Sequence, residues 1–262
     1  MIDYQELCRQ VCEIGKQAGE FIAGQRKSFT YDKVEEKGRH DLVSYVDKEA
    51  EQLIVAALKK ILPGAGFITE EGTTEQASDE RLRWIIDPLD GTTNFIHGLP
   101  PYCVSLALME GDELVVGVVY EAFSGECFYA WKGSEAYLNG EVIRPSAIDR
   151  FEHTLTAVGL SHSSKDTITD LLHVMEVLLH ETSGIRRIGS AAIDLCYVAC
   201  GRIDGFIQRN LSPWDVAAGA LIAERAGATV TDFSGGRDYV FGRQIIASGP
   251  LVYTDYMNKV VR

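Results

Sequence analysis

The chain has 262 residues, 46% of them hydrophobic, and a formal net charge of −13. This length suits one or two domains with a substantial core, and the excess of carboxylates argues against nucleic acid or an anionic membrane as a partner bound by bulk charge. No apolar run approaches the roughly 20 residues of a membrane helix, and the N-terminus does not resemble a signal peptide. The six cysteines include no CxxC pair, so we expect reduced core thiols and a cytoplasmic location.

The first half of the chain predicts two helices and a largely antiparallel sheet. Apolar residues recur at helical spacing over residues 3–25 and 44–62. The polar segment between them, residues 28–40, is typical of an exposed hairpin or a mobile loop, and its basic run Lys37-Gly-Arg-His40 could reach a phosphate. Short strands separated by turn signals are expected at residues 67–69, 102–108, 114–121 and 126–130.

The second half alternates strands with helices, which predicts an α/β lobe whose helices cover a sheet. The strands are expected at residues 154–159, 186–188, 205–208, 229–230 and 244–248, and the helices at 166–180, 191–200, 213–226 and 250–260. No repeat or low-complexity linker separates the halves. We therefore expect a single domain in two lobes, of about residues 1–145 and 146–262.

The central stretch is Trp84-Ile-Ile-Asp-Pro-Leu-Asp-Gly-Thr-Thr-Asn-Phe95. Its apolar start predicts the end of a buried strand. Pro88 biases Asp87 away from the helical region, so a turn is expected to let Asp87 and Asp90 face the same space. The polar residues from Gly91 onward are typical of a helix start, where free N–H groups favour an anion. Carboxylates that hold a cation, beside amides that hold a phosphate, suggest metal-dependent phosphate chemistry.

Three further acidic residues and one basic pair stand near the ends of predicted elements. Glu70 follows the strand at 67–69, where open α/β sheets place their chemistry, although a solvated glutamate fits as well. Asp47 and Asp215 each occupy the third position of a predicted helix, so each can cap that helix or take part in chemistry. The pair Arg186-Arg187 precedes another helix start and is, by itself, typical of a solvated surface.

Together these segments resemble the inositol monophosphatase family, within the larger group of lithium-sensitive, magnesium-dependent phosphatases that includes fructose bisphosphatases and bisphosphate nucleotidases. Two signatures carry the resemblance, residues 84–95 and 214–227, and three supporting runs follow in the family's order, residues 37–47, 69–72 and 186–194. The likeness covers nearly the whole chain and is of the bacterial type. It implies an α+β fold, a layered α-β-α-β-α sandwich with one catalytic domain, and a homodimer.

The resemblance also implies a metal site made of oxygen ligands. The metal ligands would be Glu70, Asp87, the Leu89 carbonyl, Asp90 and Asp215, with Asp90 bridging two metals. Carboxylate-rich oxygen sites suit Mg²⁺, with Mn²⁺ as a possible substitute. Two cations about 4 Å apart would activate water for attack on a small-molecule phosphate ester, so no protein nucleophile is required.

The catalytic and substrate-binding roles follow from the same resemblance. Thr92 would orient the attacking water, Asp47 would steady Thr92, and Glu70 would accept a hydrogen bond from the water. The substrate-binding residues would be Gly91 and Thr92, through their backbone, together with Arg186, Ala191, Gln208 and Asp215.

Gln208 departs from the family pattern. Six residues before Trp214, many members carry a glutamate that hydrogen-bonds substrate hydroxyls. Glutamine keeps an acceptor but adds N–H donors and removes a charge. Inositol 1-monophosphate is the favoured substrate, and fructose 1,6-bisphosphate or another sugar or nucleotide phosphate is the alternative. A regulatory binding protein that keeps the fold without catalysis is a third hypothesis, and the presence of every expected carboxylate speaks against it.

Overall fold

The computed structural model describes residues 2–31, 34–38, 41–77, 80–160 and 165–261. The helices in these ranges are α1 Tyr4–Arg26, α2 Tyr45–Ile61, α3 Thr92–His97, α4 Lys165–Glu181, α5 Ala191–Ala199, α6 Pro213–Ala226 and α7 Tyr253–Lys259. The strands are β1 Val34–Gly38, β2 Asp41–Ser44, β3 Gly66–Thr69, β4 Leu82–Asp90, β5 Cys103–Glu110, β6 Glu113–Glu121, β7 Cys127–Trp131, β8 Tyr137–Leu138, β9 Glu141–Val142, β10 Leu155–Val158, β11 Gly184–Arg186, β12 Gly205–Arg209, β13 Thr229–Thr231 and β14 Gln244–Ser248.

The first large sheet contains seven strands in the order β3-β4-β5-β6-β7-β8-β9. Only β3 and β4 are parallel among these neighbours, which confirms the predicted antiparallel meander. Helices α1 and α2 cover one face, because each carries apolar residues at helical spacing that are buried against the sheet, such as Val11, Ile22 and Ile54. Helices α5 and α6 cover the other face.

The second large sheet contains five strands in the order β11-β10-β12-β14-β13. β10 is parallel to β11 and β12, whereas β14 is antiparallel to both of its neighbours. All residues of α5 except Tyr197 are buried, as expected for a helix between two sheets. Helices α4 and α7 cover the outer face through Leu178 and Tyr256. The layers therefore follow the order α-β-α-β-α, which confirms the expected sandwich.

None of the helices in the described ranges is long and apolar enough to cross a lipid bilayer.

Three predicted boundaries are wrong. β4 does not end at Ile86 but continues through Pro88 to Asp90, where Pro88 and Leu89 together oppose the single residue Val104 of β5. Such a bulge accommodates a proline in a strand and redirects the neighbouring side chains. The strand expected at 186–188 lies two residues earlier, because residues 187–189 form the connection to α5. The last helix begins at Tyr253, after a turn at 250–252.

The segment before α2 forms the hairpin that was one of its two predicted structures. β1 and β2 pair in antiparallel register, with an irregularity between Glu36 and Gly38. Lys37 and Gly38 lie at the end of β1, whereas Arg39 and His40 are outside the described residues. Contact between this basic run and a phosphate therefore stays a prediction.

Close packing between α6 and the first sheet depends on Gly117 of β6. A Cβ atom at this position would lie 2.8 Å from the carbonyl oxygen of Ala218 and 3.2 Å from its Cα. Both are backbone atoms, so no side-chain rotation relieves the overlap. The strand and the helix can approach this closely only because Gly117 has no side chain.

Replacement of Gly117 by alanine should therefore lower the free energy of unfolding by about 1–3 kcal/mol, because the two layers must separate. Gly24→Ala is the control: it lies in α1, and a Cβ there meets nothing within 4 Å. That change should raise the free energy of unfolding by about 0.5–1 kcal/mol. Urea unfolding followed by circular dichroism measures both, and equal stability of Gly117→Ala and the wild type would show that the layers adjust without cost.

Candidate active site

The end of β4 supplies two aspartates to an opening between the layers. Asp87 is buried and accepts the Leu89 N–H at 3.0 Å. Asp90 is half-buried, and its Oδ2 accepts the Ser190 hydroxyl at 2.7 Å and the Ala192 N–H at 2.8 Å. Because Ser190 and Ala192 begin α5, Asp90 joins the first sheet to the central helical layer.

Glu70 and Asp215 reach the same place from two other elements. Glu70 follows β3, and its side chain lies in hydrogen-bond contact with Asp87. Asp215 is the third residue of α6, and its Oδ2 accepts the Ser212 N–H at 2.7 Å. The structure thus brings together the four carboxylates that the sequence predicted as metal ligands, namely Glu70, Asp87, Asp90 and Asp215.

Burial raises the pKa of three of these carboxylates, and the charge of a neighbouring carboxylate adds to that rise for Asp87 and Asp215. Burial is the largest cause for Asp87, whose pKa lies well above its ordinary value, and the charges of Glu70, Asp90 and Asp215 follow. Burial raises the pKa of Asp90 to about 6, against the hydrogen bond from Ser190. Burial and then the charge of Asp90 raise the pKa of Asp215 to about 7. A divalent cation is the natural partner for carboxylates that oppose one another in this way.

The donor set fits a hard divalent cation. Carboxylates and a backbone carbonyl are oxygen ligands of the kind that Mg²⁺ takes in proteins, and the Leu89 carbonyl lies between Asp87 and Asp90 on β4. In the described part of the chain, no three acidic, cysteine or histidine side chains already converge on one metal position. The fit therefore rests on the type of donor and on the mutual repulsion of the carboxylates, rather than on a finished coordination shell.

Thr92 and Asp47 meet beside these carboxylates. The Thr92 hydroxyl oxygen lies 2.9 Å from Asp47 Oδ1 and 3.0 Å from the Leu89 carbonyl oxygen, and its one proton serves either acceptor. The other oxygen of Asp47 accepts the N–H and the hydroxyl of Ser44, which caps α2. Burial raises the pKa of Asp47 despite these hydrogen bonds. Asp47 thus both caps a helix and contacts the site, and the sequence had left both roles open.

Gly91 occupies a backbone position that requires glycine. Its φ is +94°, and a Cβ would lie 3.2 Å from the Pro101 carbonyl oxygen. Its N–H is directed at the Asp90 carboxylate. The helix that follows, α3, has only six residues, so its dipole is weak. The anion site expected at its start stays a prediction.

Two of the other predicted substrate contacts lie near the carboxyl ends of parallel strands of the second sheet, and the third begins α5. Arg186 ends β11, is exposed, and donates to the Ile185 carbonyl at 2.9 Å. Ala191 begins α5 and is buried. Gln208 lies on β12 and packs against Gly159, where a Cβ would fall 1.6 Å from its Oε1. Gln208 also lines a small, mostly apolar cavity beneath α4.

Two residues at the site were missed from the sequence. Ser190 caps α5 and donates to Asp90, and the Gly-Ser-Ala helix start was the available signal. Asp194, one turn later, is buried, and its Oδ1 has no hydrogen-bond partner within the described structure. Burial, followed by the charge of Asp90, raises the pKa of Asp194 well above its ordinary value. A polar position on an otherwise apolar helix was its only signal.

Comparison with known proteins agrees with this geometry. The model of the inositol monophosphatase family matches residues 3–262. The chain belongs to this family. Nus factor SuhB of Vibrio cholerae is 40% identical over 235 residues, covering 90% of this chain and 88% of that protein. Inositol-1-monophosphatase of Mesorhizobium japonicum is 40% identical over 216 residues, covering 82% and 81%.

A solved structure gives the same result for the fold. The extragenic suppressor protein SuhB from Bartonella henselae matches with a TM-score of 0.90 at 37% identity, over 97% of this chain and 98% of that one. The membership and the fold expected from the sequence motifs are confirmed.

The raised pKa values predict how the metal-free protein responds to pH. Near pH 4 the unfolded aspartates begin to ionise, whereas folded Asp90 and Asp215 ionise only near their pKa values of about 6 and about 7. The folded state therefore binds more protons in this window, and stability falls as pH rises. In EDTA, the melting temperature should drop by several degrees between about pH 5 and about pH 8, and added Mg²⁺ should restore more of it at the higher pH.

Two matched variants should change the melting temperature in opposite directions, which tests this prediction. Asp215→Asn should raise the melting temperature in EDTA at about pH 8, because it removes an opposed charge. Asp232→Asn should lower the melting temperature. Burial alone would raise the pKa of Asp232, but three backbone N–H groups donate to its carboxylate and lower that pKa. The charged form of Asp232 therefore stabilises the folded state, and the variant loses this contribution. A fall of similar size in both variants would contradict the assignment of repulsion to the site.

Proposed function

We propose that the chain is a Mg²⁺-dependent phosphate monoester hydrolase whose preferred substrate is inositol 1-monophosphate. The main support is the group of four carboxylates, in which burial raises the pKa of Asp87, Asp90 and Asp215 and neighbouring negative charge adds to it for Asp87 and Asp215. Asp90 is anchored by Ser190. Structural sites rarely gather four acidic groups without a cation, because desolvation and like charge both oppose it. Membership of the inositol monophosphatase family supports the same chemistry.

Under this proposal, the ligands of Mg²⁺, or of Mn²⁺ as a substitute, are Glu70, Asp87, the Leu89 carbonyl, Asp90 and Asp215. When bound, the cation neutralises the phosphate ester, lowers the pKa of water and stabilises the leaving alkoxide. The protein contributes the orientation of the water. Asp47 accepts a hydrogen bond from the Thr92 hydroxyl, so the Thr92 oxygen can accept a hydrogen bond from the attacking water. Glu70 accepts a second hydrogen bond from the same water.

The substrate lies, in this proposal, between the two sheets. The phosphate is bound by the backbone of Gly91 and Thr92, for which the Gly91 N–H must exchange its present Asp90 partner. The contacts to the alcohol are Arg186, Ala191, Gln208 and Asp215. Family membership supports a small phosphate ester of a polyol as the substrate class.

Asp90→Asn should abolish turnover without unfolding the protein. The loss in kcat should exceed about 100-fold, which is more than the usual effect of changing a residue outside the ligand shell. Phosphate release from myo-inositol 1-phosphate is measured with Mg²⁺, with EDTA and with Li⁺, which should inhibit. Asp232→Asn, a loop carboxylate, is the control for folding and should retain activity. Full metal-dependent activity of Asp90→Asn would show that the site is wrongly assigned.

Gln208→Glu should increase the preference for inositol 1-monophosphate over fructose 1,6-bisphosphate. The added carboxylate accepts hydrogen bonds from the hydroxyls and repels a second phosphate, so the ratio of kcat/KM values should shift by about tenfold. The wild-type ratio decides between an inositol monophosphatase and a sugar bisphosphatase. An unchanged ratio in the variant would mean that Gln208 does not contribute to substrate choice.

A second candidate function comes from the relatives named Nus factor SuhB, one of which is 40% identical over 90% of this chain. We propose, as the alternative, that the chain serves as such a factor and that its role is binding. An Escherichia coli strain lacking its SuhB separates the two functions. If the Asp90→Asn variant reverses the defect of that strain, the result would support a role independent of catalysis. If only the wild-type chain reverses the defect, the result would support the enzymatic function.

Two further features belong to the proposal. We expect a homodimer, which light scattering on the purified protein tests directly. All six cysteines are free thiols, and this supports the proposal of a reducing, cytoplasmic environment.

A further inference from the structure

Helix α2 carries a second buried carboxylate one turn after Asp47. Glu51 is fully buried, at 0% exposure. Its Oε1 accepts the Thr69 hydroxyl at 3.0 Å, the Thr73 N–H at 2.7 Å and the Thr73 hydroxyl at 2.7 Å. Its Oε2 accepts the Glu71 N–H at 2.8 Å. Four neutral donors therefore surround one buried negative charge, which is the arrangement that makes such burial tolerable.

All four donors lie on the short segment that contains Glu70. Thr69 ends β3, and the Glu70 N–H donates to the Ile86 carbonyl of β4 at 3.2 Å. The residues on either side of Glu70 are bound by Glu51, while Glu70 itself is bound to the strand that carries Asp87. The backbone is thus held from two directions at the point where the Glu70 side chain turns toward Asp87.

We propose that Glu51 is a positioning residue that holds Glu70 in place for metal binding. This inference rests on the proposed function, in which Glu70 is a metal ligand. Asp47 and Glu51 are four residues apart and lie on one side of α2. One rigid helix therefore orients Thr92 through Asp47 and Glu70 through Glu51, and the two residues that orient the attacking water share a single support.

A purely structural role is the competing explanation, and the chain contains a matched example of it. Glu121 is also buried, at 2% exposure, and accepts the N–H groups of Tyr102 at 3.3 Å, of Phe123 at 3.1 Å and of Ser124. This carboxylate organises a turn that carries none of the proposed ligands. Glu51 and Glu121 are thus alike in burial and in type of partner, and they differ in what the supported segment does.

The substitution Glu51→Gln makes a small, localised change. The side chain keeps its size, and its remaining oxygen can keep the contacts to Thr69 and Thr73. The amide nitrogen replaces the oxygen that faces the Glu71 N–H, so two donors meet directly beside Glu70. Glu121→Gln creates the same kind of conflict at the other turn. Thr73→Ala removes one donor from a partly exposed position and serves if Glu51→Gln does not fold.

The experiment compares Mg²⁺ affinity by calorimetry in the full-length wild type, Glu51→Gln, Thr73→Ala, Glu121→Gln and Glu70→Gln. We expect Glu51→Gln to weaken Mg²⁺ binding about tenfold and Thr73→Ala to weaken it less. Glu121→Gln should lower the melting temperature without changing the affinity. In steady-state assays, Glu51→Gln should lower kcat at saturating substrate, and excess Mg²⁺ should recover part of the loss.

The outcomes separate this inference from the proposed function. Weaker Mg²⁺ binding in both Glu70→Gln and Glu51→Gln, but not in Glu121→Gln, supports it. Weaker binding in Glu70→Gln alone, with wild-type affinity in Glu51→Gln and Thr73→Ala, overturns the role of Glu51 and leaves the metal site intact. Wild-type Mg²⁺ affinity in Glu70→Gln would show that Glu70 is not a metal ligand. The ligand role of Glu70 in the proposed function and the positioning role of Glu51 would then both fail.

Discussion

The mutual repulsion of four carboxylates is the constraint on which this structure depends. Asp87, Asp90 and Asp215 all have raised pKa values. Loss of water is the largest cause for each, and for Asp87 and Asp215 the negative charge of a neighbouring carboxylate follows. Side chains that repel would move apart unless each were held by its own backbone and its own donors. Asp90 is held by Ser190 at the start of α5 and Asp215 by Ser212 at the start of α6. The sandwich therefore serves to keep opposed charges in one place.

Helix starts supply much of that support. Asp47 and Asp215 each occupy the third position of a helix and accept the N–H of the residue that caps it, while Asp90 accepts the Ala192 N–H at the start of α5. The first N–H groups of a helix have no partner within the helix, so they are available to bind carboxylates. A cap also fixes the direction of its carboxylate without a positive side chain, which would compete with a metal ion. Helix capping and site geometry are thus achieved by the same residues.

Periodicity predicted most helices, and the family resemblance implied the layers and the four carboxylates. Both signals are available because periodicity and motif spacing are local properties of a sequence. The bulge at Pro88 was missed, since it depends on how β4 pairs with β5. Helical spacing also places Leu53 on the apolar stripe of α2, yet Leu53 is 51% exposed and Glu51 is fully buried. The burial of Glu51 requires donors from residues 69–73, which no pattern within α2 reveals. Tertiary partners decide such positions, and sequence periodicity does not contain them.

Several buried carboxylates among the described residues form two physical classes, and the difference separates support from chemistry. Glu51, Glu121 and Asp232 are each surrounded by several N–H or hydroxyl donors, so their charge is already compensated. Asp87 and Asp215 face other carboxylates, and their donors do not offset that repulsion. A cation would add little stabilisation to the first class, whereas it would offset the repulsion between the carboxylates of the second class. In a chain of net charge −13, the proposed function requires this local reversal of sign before an anionic ester can approach. Under that proposal, the metal and the substrate depend on the same uncompensated charge.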